Sequence, residues 1–316
     1  MQIFVYVKAA FATVLCLASL GVNIPVIIVT SRSETLKNDH VTSVMCSMAV
    51  SDVVTGAGLF GISAVVAWVQ PRVVPYAFTQ VQGFLFYLYS HNAFWHLAFA
   101  SVIKCGVIVW PLTYLKVFTD RTINLTLMAI WIVNIVFDCI LFVIGVRYSF
   151  DWIQILPVLM NYFTFVPPLR LLSFFASTIC MGMCYAKIFL VVRKQLASTA
   201  PEGMPSGLTS DSAGRLTSQI KDKFLLNVRS AKTIFIICAA FLLAYTPFTI
   251  KGLTAYNNVA FAFASRWIHE AGSFTNGLLY VLLHKKVRTE FKKMLGYVTV
   301  SDNLERSTRL SNIQER

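Results

Sequence analysis

Hydrophobic residues occur in seven long stretches that fill most of the chain. Each runs for roughly 20–30 residues, and a helix needs about 20 apolar residues to cross a bilayer. The stretches lie near 4–31, 41–69, 77–110, 123–147, 166–194, 226–254 and 258–284. Membrane β-strands are excluded because they need only about 10 alternating residues. The pattern predicts an all-α membrane protein, a seven-transmembrane helix bundle.

A short amphipathic segment follows the seventh stretch. In HKKVRTEFKKML, Val287, Phe291, Met294 and Leu295 recur at helical spacing with lysines between them. This spacing predicts a short C-terminal interfacial helix over 286–295 on the inner membrane surface.

The chain has room for one folded domain. We expect a seven-transmembrane receptor domain over 1–295 and a disordered cytoplasmic tail over 296–316. The connection near 195–222 is rich in Ser, Gly, Thr and Pro, which predicts a mobile linker. The aromatic outer connection near 148–166 either lies in the membrane interface or folds over the bundle as a lid.

Composition supports a membrane protein, and the distribution of the basic residues argues against nucleic-acid binding. The hydrophobic fraction is 57% and the mean hydropathy is +0.67. The net charge is +13, but with the N-terminus outside only six of the 27 basic residues lie on the outer side. These six are Lys8, Arg72, Arg147, Arg170, Lys251 and Arg266. This positive-inside pattern predicts a multi-pass plasma-membrane protein with an extracellular N-terminus and a cytoplasmic C-terminus, in contact with anionic inner-leaflet lipids.

The cysteines indicate neither a disulfide nor a metal site. All seven fall within the predicted helices and none has zinc-ligand spacing. We expect free thiols that pack as small apolar groups.

Three polar residues lie at similar depth in the predicted bundle: Asn23 in helix 1, Asp52 in helix 2 and Asn276 in helix 7. A charge at the bilayer centre costs about 2.5–3.5 kcal/mol on insertion scales, so such groups need a partner, water or a function. They could form one hydrated, hydrogen-bonded centre that holds a cation such as Na⁺ at Asp52. A static polar clamp between helices is the alternative, and spacing leaves both open.

An ordered series of residues runs through all seven predicted helices. Its members are Asn23, Asp52, the VWPLTY segment (Val109–Tyr114), Trp131, Tyr185, Phe241 and Pro247, and Asn276 and Tyr280. In this order the chain resembles a rhodopsin-like (class A) G-protein-coupled receptor, as a divergent or orphan member. The resemblance implies a receptor that binds an extracellular ligand and activates a heterotrimeric G protein, with arrestin as a further partner.

The residues that would switch such a receptor depart from the family pattern. The family's DRY triplet falls on Ile103-Lys104-Cys105, and lysine lacks the planar fork of arginine. The helix 6 tryptophan is Tyr245, and the NPxxY proline is Gly277. The departures suit weaker coupling, a poorly locked resting state with basal activity, or a receptor fold that no longer couples.

Two further positions change the expected sites. Ala93 stands where the family has its sodium-site serine, which weakens the case for an ion near Asp52. Thr79 stands where the family has its helix 3 cysteine, so the family disulfide is missing.

A ligand site is expected in the aromatic outer half of the bundle. Its candidate residues are Phe86, Tyr87, Ser90, Tyr245, Phe248, Arg266 and Glu270. This mixture suits a small apolar or amphipathic ligand with a few polar anchors, although aromatic residues at helical spacing also occur as plain packing. Glu270 either faces a cationic ligand or pairs with Arg266 at i, i+4.

The resemblance also argues against two ligand classes. Phe86 stands at the position of the aspartate that amine receptors carry, which argues against ordinary amine recognition. Glu270 stands at the position of the lysine that binds retinal, so we expect no retinal and no other cofactor.

The resemblance implies a switch that joins the two sides of the membrane. Its residues would be Asn23, Asp52, Phe241, Pro247, Asn276 and Tyr280. The G protein would bind near Lys104, Tyr185 and Arg229 after the inner ends of helices 5 and 6 separate.

Two other classes compete with a receptor. A seven-helix transporter or proton-translocating protein could use Asp52, Asp138, Glu270 and the histidines as a relay, but the chain has no internal repeat. An enzyme would need a clustered metal set or an activated nucleophile, whereas these acids are scattered over several helices.

Overall fold

The computed structural model describes residues 2–70, 74–143, 148–151, 156–159, 166–198, 211–254 and 258–294. The helices are α1 (Gln2–Arg32), α2 (Glu34–Lys37), α3 (His40–Thr55), α4 (Ile62–Val69), α5 (Tyr76–Val109), α6 (Pro111–Val117), α7 (Asp120–Val143), α8 (Val166–Ser198), α9 (Asp211–Thr254), α10 (Val259–Glu270), α11 (Gly272–Leu283) and α12 (Lys285–Met294). By length and composition, six continuous spans in these ranges can cross a membrane. Together α10 and α11 make the seventh, so the predicted helix bundle is confirmed.

Helix α9 is longer than the sequence pattern indicated. It begins at Asp211 rather than near 226, so the predicted linker over 195–222 is wrong in its second part. Residues 215–223 (RLTSQIKDK) are mostly good helix formers, a signal that the Ser- and Gly-rich composition before them obscured. The intervening residues 199–210 lie outside the described ranges.

The second span contains a π-helical turn. Residues Gly56–Gly61 (GAGLFG) form it between α3 and α4. A Cβ atom on Gly56 would lie 2.8 Å from the Ser19 hydroxyl oxygen of α1. Glycine is therefore required where the two helices touch. At the far end of this span, α4 is capped by Gln70, whose φ of 49° is left-handed.

The seventh span is interrupted at Ala271, which joins α10 to α11. Gly277 replaces the family proline six residues further on, inside continuous α-helix. A Cβ atom there would collide with the Asn23 side-chain oxygen of α1. Gly277 thus allows close helix packing, and the interruption lies beside Glu270.

A β-hairpin that packs on α5 is the one departure from all-α structure in the described ranges. Strands β1 (Tyr148–Asp151) and β2 (Leu156–Leu159) are antiparallel, with Tyr148 opposite Leu159. Both strands contact α5, which favours the lid alternative for this connection. The rest of the predicted 148–166 connection lies outside the described residues.

The centre of the bundle is α5. In the most apolar 18-residue segment of α5, 72% is buried, whereas the corresponding share for α7, at the periphery, is 17%. All seven cysteines are free, as expected. The predicted C-terminal helix is present as α12, whose Val287 is buried, and its location on the membrane surface stays a prediction. Leu295 and the predicted tail over 296–316 lie outside the described residues.

We expect Gly56→Ala to destabilise the bundle. The added methyl group meets Ser19, and overpacking of this kind costs about 1–3 kcal/mol. Thermal unfolding of the purified protein in detergent measures the effect. Gly182→Ala in α8 is the matched control, because nothing lies within 4 Å of its Cβ position. An equal melting temperature for both variants would contradict the close α1 contact.

Candidate functional site

The predicted ligand site is a cluster of rings around His269 on α10. The ring centroids of Phe86, Tyr245 and Phe248 lie 5.6, 4.6 and 5.5 Å from the His269 ring. His269 is fully buried, and its Nε2 lies 2.9 Å from the Ser90 hydroxyl oxygen. Three of the spans, α5, α9 and α10, therefore meet at one side chain. Sequence reasoning missed His269, although it is a polar residue in an apolar helix directly before Glu270.

The predicted contact between Arg266 and Glu270 is present. Arg266 Nε lies 3.9 Å from Glu270 Oε1, and both side chains are buried. The Arg266 guanidinium carbon also lies 4.3 Å from the Phe86 ring centroid, a cation–π contact. Tyr87 packs edge-on against Phe86 at 4.8 Å. The structure thus brings all the predicted ligand-site residues into one region.

Further rings continue this cluster towards the centre of the bundle. Phe94 of α5 lies 4.7 Å from the Tyr245 ring and 5.4 Å from the Phe241 ring, both of α9. Phe174 of α8 lies 4.9 Å from Tyr245. A movement of Tyr245 would therefore displace rings on both α5 and α8. Tyr245 lies two residues before Pro247, the proline inside α9.

The predicted hydrogen-bonded centre is arranged differently from the expectation. Asn23 Nδ2 donates to the backbone oxygens of Ser19 at 2.9 Å and Ser273 at 2.8 Å. Ser19 in turn donates to the backbone oxygen of Asp52 at 2.9 Å. The Asp52 carboxylate and the Asn276 amide nitrogen are buried without a hydrogen bond to the described residues. The link between the helices runs through backbone carbonyls, which a count of polar side chains cannot reveal.

The donor set around Asp52 suits a small cation only in part. The Asp52 carboxylate and the Ser273 hydroxyl are both buried without hydrogen-bond partners in the described ranges. Ala93 offers no side-chain oxygen. Among the described residues no group of three His, Cys, Asp or Glu side chains forms a metal site. Na⁺ at Asp52 stays a prediction.

A polar network between α3, α5 and α7 was not predicted as a unit. His96 Nε2 lies 2.8 Å from the Ser47 hydroxyl, to which Trp131 donates at 3.0 Å. One turn outward, Asn134 donates to the Asn92 side chain at 2.8 Å. The signal in the sequence is spacing, since Asn92 and His96 are four residues apart and so share one face of α5.

Asp138 has a partner that sequence reasoning did not find. Its carboxylate lies 3.7 Å from His91 Nδ1 of α5, and both side chains are 3% exposed. The pair joins α5 to α7. It takes no part in the ring cluster around His269.

The predicted coupling residues lie towards one end of the bundle, called the inner end because the sequence predicts that it faces the cytoplasm. Lys104 is only 4% exposed, with Asp39 attracting and Lys286 repelling its charge. Arg229 is exposed and Tyr185 is half-buried, its ring 5.0 Å from Phe235. The structure places no hydrogen bond between these three side chains. Tyr280 is fully buried nearby on α11, with its hydroxyl 2.9 Å from the Thr42 hydroxyl of α3.

His40 ties α6 to the inner end of α3. Its Nδ1 lies 2.6 Å from the Tyr114 hydroxyl and its Nε2 lies 3.1 Å from Asp120 Oδ1. Burial, reinforced by Asp39 and Asp120, raises the pKa of Tyr114 to about 12, so its hydroxyl stays protonated. The short helix α6 therefore has a fixed position at the inner face.

Comparison with known proteins gives one consistent result. The family model of the 7 transmembrane receptor (rhodopsin family) matches residues 22–281. Trace amine-associated receptor 6 of Pan troglodytes is 24% identical over 238 residues, which cover 71% of this chain and 66% of that protein. A Gq-coupled rhodopsin of Mizuhopecten yessoensis is 22% identical over 310 residues, which cover 90% of this chain and 58% of that protein.

The fold also matches a solved structure. Squid rhodopsin superposes with a TM-score of 0.79 at 18% sequence identity, covering 95% of this chain and 88% of that one. The chain spans 58–66% of the length of the first curated relatives that it matches. The comparison with squid rhodopsin therefore shows a shared arrangement of helices.

We expect the stability of the protein to fall below neutral pH partly through His284, at the junction of α11 and α12. Burial lowers the pKa of His284 to about 4. The positive charges of Lys104 and Lys286 act in the same direction, and the negative charge of Asp39 opposes them. A lowered pKa gives stability that is present above the usual value near 6.5 and is lost as the pH falls towards 4. Melting temperatures between pH 7.5 and pH 4.5 test this.

His284→Gln should flatten that pH dependence, because glutamine does not titrate. Lys286→Gln removes one repelling charge, so it should let His284 protonate at higher pH. Identical pH profiles for the wild type and both variants would contradict the assignment.

Proposed function

The chain belongs to the rhodopsin family of seven-transmembrane receptors, and we propose that it is a G-protein-coupled receptor for a small extracellular ligand. It is a multi-pass membrane protein and not an enzyme. We place it in the plasma membrane with the N-terminus outside, because most of the basic residues lie on the side of the membrane opposite the N-terminus, and basic residues concentrate on the cytoplasmic side. Ligand, G protein and arrestin are part of the proposal.

One observation carries it: ring contacts run unbroken from the outer site towards the inner half. They pass from Phe86 and His269 to Tyr245, and from Tyr245 through Phe94 to Phe241. Packed cores change between discrete arrangements rather than deforming smoothly, so such a series can carry a change of packing across the membrane.

The proposed mechanism begins with a ligand in the outer half, apolar or amphipathic, against Phe86 and Ser90. It repacks His269 and Tyr245, and α9 then moves about Pro247. The inner ends of α8 and α9 separate. A ligand of this kind acts by binding the open arrangement more tightly than the closed one, which shifts the population between them.

The inner face supports a closed resting state. Lys104 is buried while Arg229 is exposed, so only part of the proposed coupling surface is accessible before α9 moves. Opening would uncover Lys104 for the G protein. Lysine can present a positive charge there but cannot form the two parallel hydrogen bonds of arginine.

The ligand is held without a covalent bond in this proposal. The helices α10 (VAFAFASRWIHE) and α11 (GSFTNGLLYVLL) contain no lysine. A retinal Schiff base needs a primary amine, and Glu270 stands at the position where the family carries it. We therefore propose that no retinal binds there.

A second candidate is a receptor fold that has lost G-protein coupling. The replacement of the family arginine by the buried Lys104 favours it. The same residue separates the two candidates experimentally.

We expect Lys104→Arg to raise ligand-free G-protein activation several-fold. Arginine restores the planar donor that the family uses at this position. The measurement is basal activation in cells across a panel of Gα subtypes that includes Gq, normalised to surface expression.

Lys37→Arg makes the same exchange at a half-exposed cytoplasmic lysine and should change nothing. Activation by the wild type would establish coupling directly. Silence of both the wild type and Lys104→Arg at good surface expression would contradict coupling and favour the non-coupling receptor fold.

A further inference from the structure

The outer site contains a carboxylate whose hydrogen-bonding capacity is unused. Glu270 is 0% exposed, and neither of its oxygens accepts a hydrogen bond within the described ranges. Its cationic neighbour, Arg266 Nε, lies at 3.9 Å, beyond hydrogen-bond length. Buried carboxylates normally accept several hydrogen bonds, so Glu270 is incompletely satisfied among the described residues.

The surroundings of Glu270 already hold a cation on an aromatic surface. The guanidinium of Arg266 lies over the Phe86 ring, one helical turn closer to the outer end of α10 than Glu270. The Tyr89 hydroxyl, within electrostatic range of Glu270, also has no partner among the residues described. The site therefore presents one buried cation, one buried acid and unused polar atoms beside aromatic rings.

Charge balance restricts which ligands can enter. A simple cation that bound Glu270 would take the carboxylate from Arg266, and a simple anion that bound Arg266 would take the cation from Glu270. Either ligand would also bring an uncompensated net charge into a buried site, which is strongly unfavourable. A ligand with both charges places an opposite charge beside each of the two residues, so its binding leaves the net charge of the site unchanged.

We propose, on the basis of the receptor function above, that the ligand is a small zwitterion of the α-amino-acid type. Its ammonium group binds the Glu270 carboxylate, and its carboxylate binds the Arg266 guanidinium. An aromatic or other apolar side chain packs against Phe86 and Phe248. The Arg266 side chain is long and flexible and lies one turn nearer the outer end of α10, so it can withdraw outward to admit the ligand.

Three probes with one shared aromatic group test this: L-phenylalanine, phenethylamine and 3-phenylpropionate. The full chain is purified in lipid nanodiscs, and its melting temperature is measured with each probe at about 10 mM, where even a Kd of about 1 mM fills most sites. Binding to the native state raises the melting temperature. We expect L-phenylalanine to raise it, with apparent affinity about tenfold or more above that of either singly charged probe, because each lacks one of the two ion pairs.

Variants assign the two ends of the ligand. Glu270→Gln and Arg266→Gln should each weaken the L-phenylalanine effect about tenfold, since each removes one of its ion pairs. Glu34→Gln and Lys37→Gln break an exposed ion pair of the same kind at the inner surface and should leave it unchanged. The three probes on the wild type decide the question even where a variant fails to fold.

Equal stabilisation by phenethylamine would overturn the proposal in favour of a simple amine site, and equal stabilisation by 3-phenylpropionate would overturn it in favour of an anion site. No stabilisation by L-phenylalanine would overturn it as well. Because this assay contains no G protein, its failure is distinct from a failure of coupling, which the Lys104→Arg experiment detects.

Discussion

The bundle depends on one constraint, namely that a polar group inside a bilayer must find its partner within the protein. Asn23 meets it by donating from one amide nitrogen to two helices, its own α1 and the neighbouring α11. Ser19 extends the same link to α3. These bonds bring the backbones close enough that Gly56 and Gly277 have no room for a side chain. The position of α10 and α11, and hence of Glu270 and His269, follows from this contact.

The buried polar groups of the molecule are held to different degrees. At the inner face His40 is bound on both sides, by Tyr114 and Asp120. In the outer half Glu270 and Tyr89 have unused hydrogen-bonding atoms in the described structure. Unsatisfied buried groups cost free energy, and proteins retain such groups mainly where something else binds or moves. The interruption at Ala271 lies next to this region.

The sequence predicted the parts of the structure that repeat. Apolar length located every span, and apolar residues at helical spacing with lysines between them located α12. The contact of Arg266 with Glu270 was one of the two alternatives that their i, i+4 spacing left open. What it could not predict depends on contacts between distant segments: the π-helical turn at Gly56–Gly61, the hydrogen bonds of Asn23 to backbone carbonyls, and the position of His269. The first residues of α9, from Asp211, were not predicted because the Ser- and Gly-rich composition of part of the connection was taken to describe all of it.

The length of α9 also sets the mechanical scale of any motion of that helix. It runs unbroken from Asp211 to Pro247 on the inner side of the proline. At 1.5 Å per residue this arm is about 54 Å long, so a rotation of about 10° at Pro247 would sweep its tip through about 9 Å. A rearrangement of a few tenths of an ångström among the rings beside the pivot is thereby multiplied into a displacement the size of a helix diameter. This part of α9 thus converts a small repacking of buried rings into a displacement large enough to change the surface that a second protein binds.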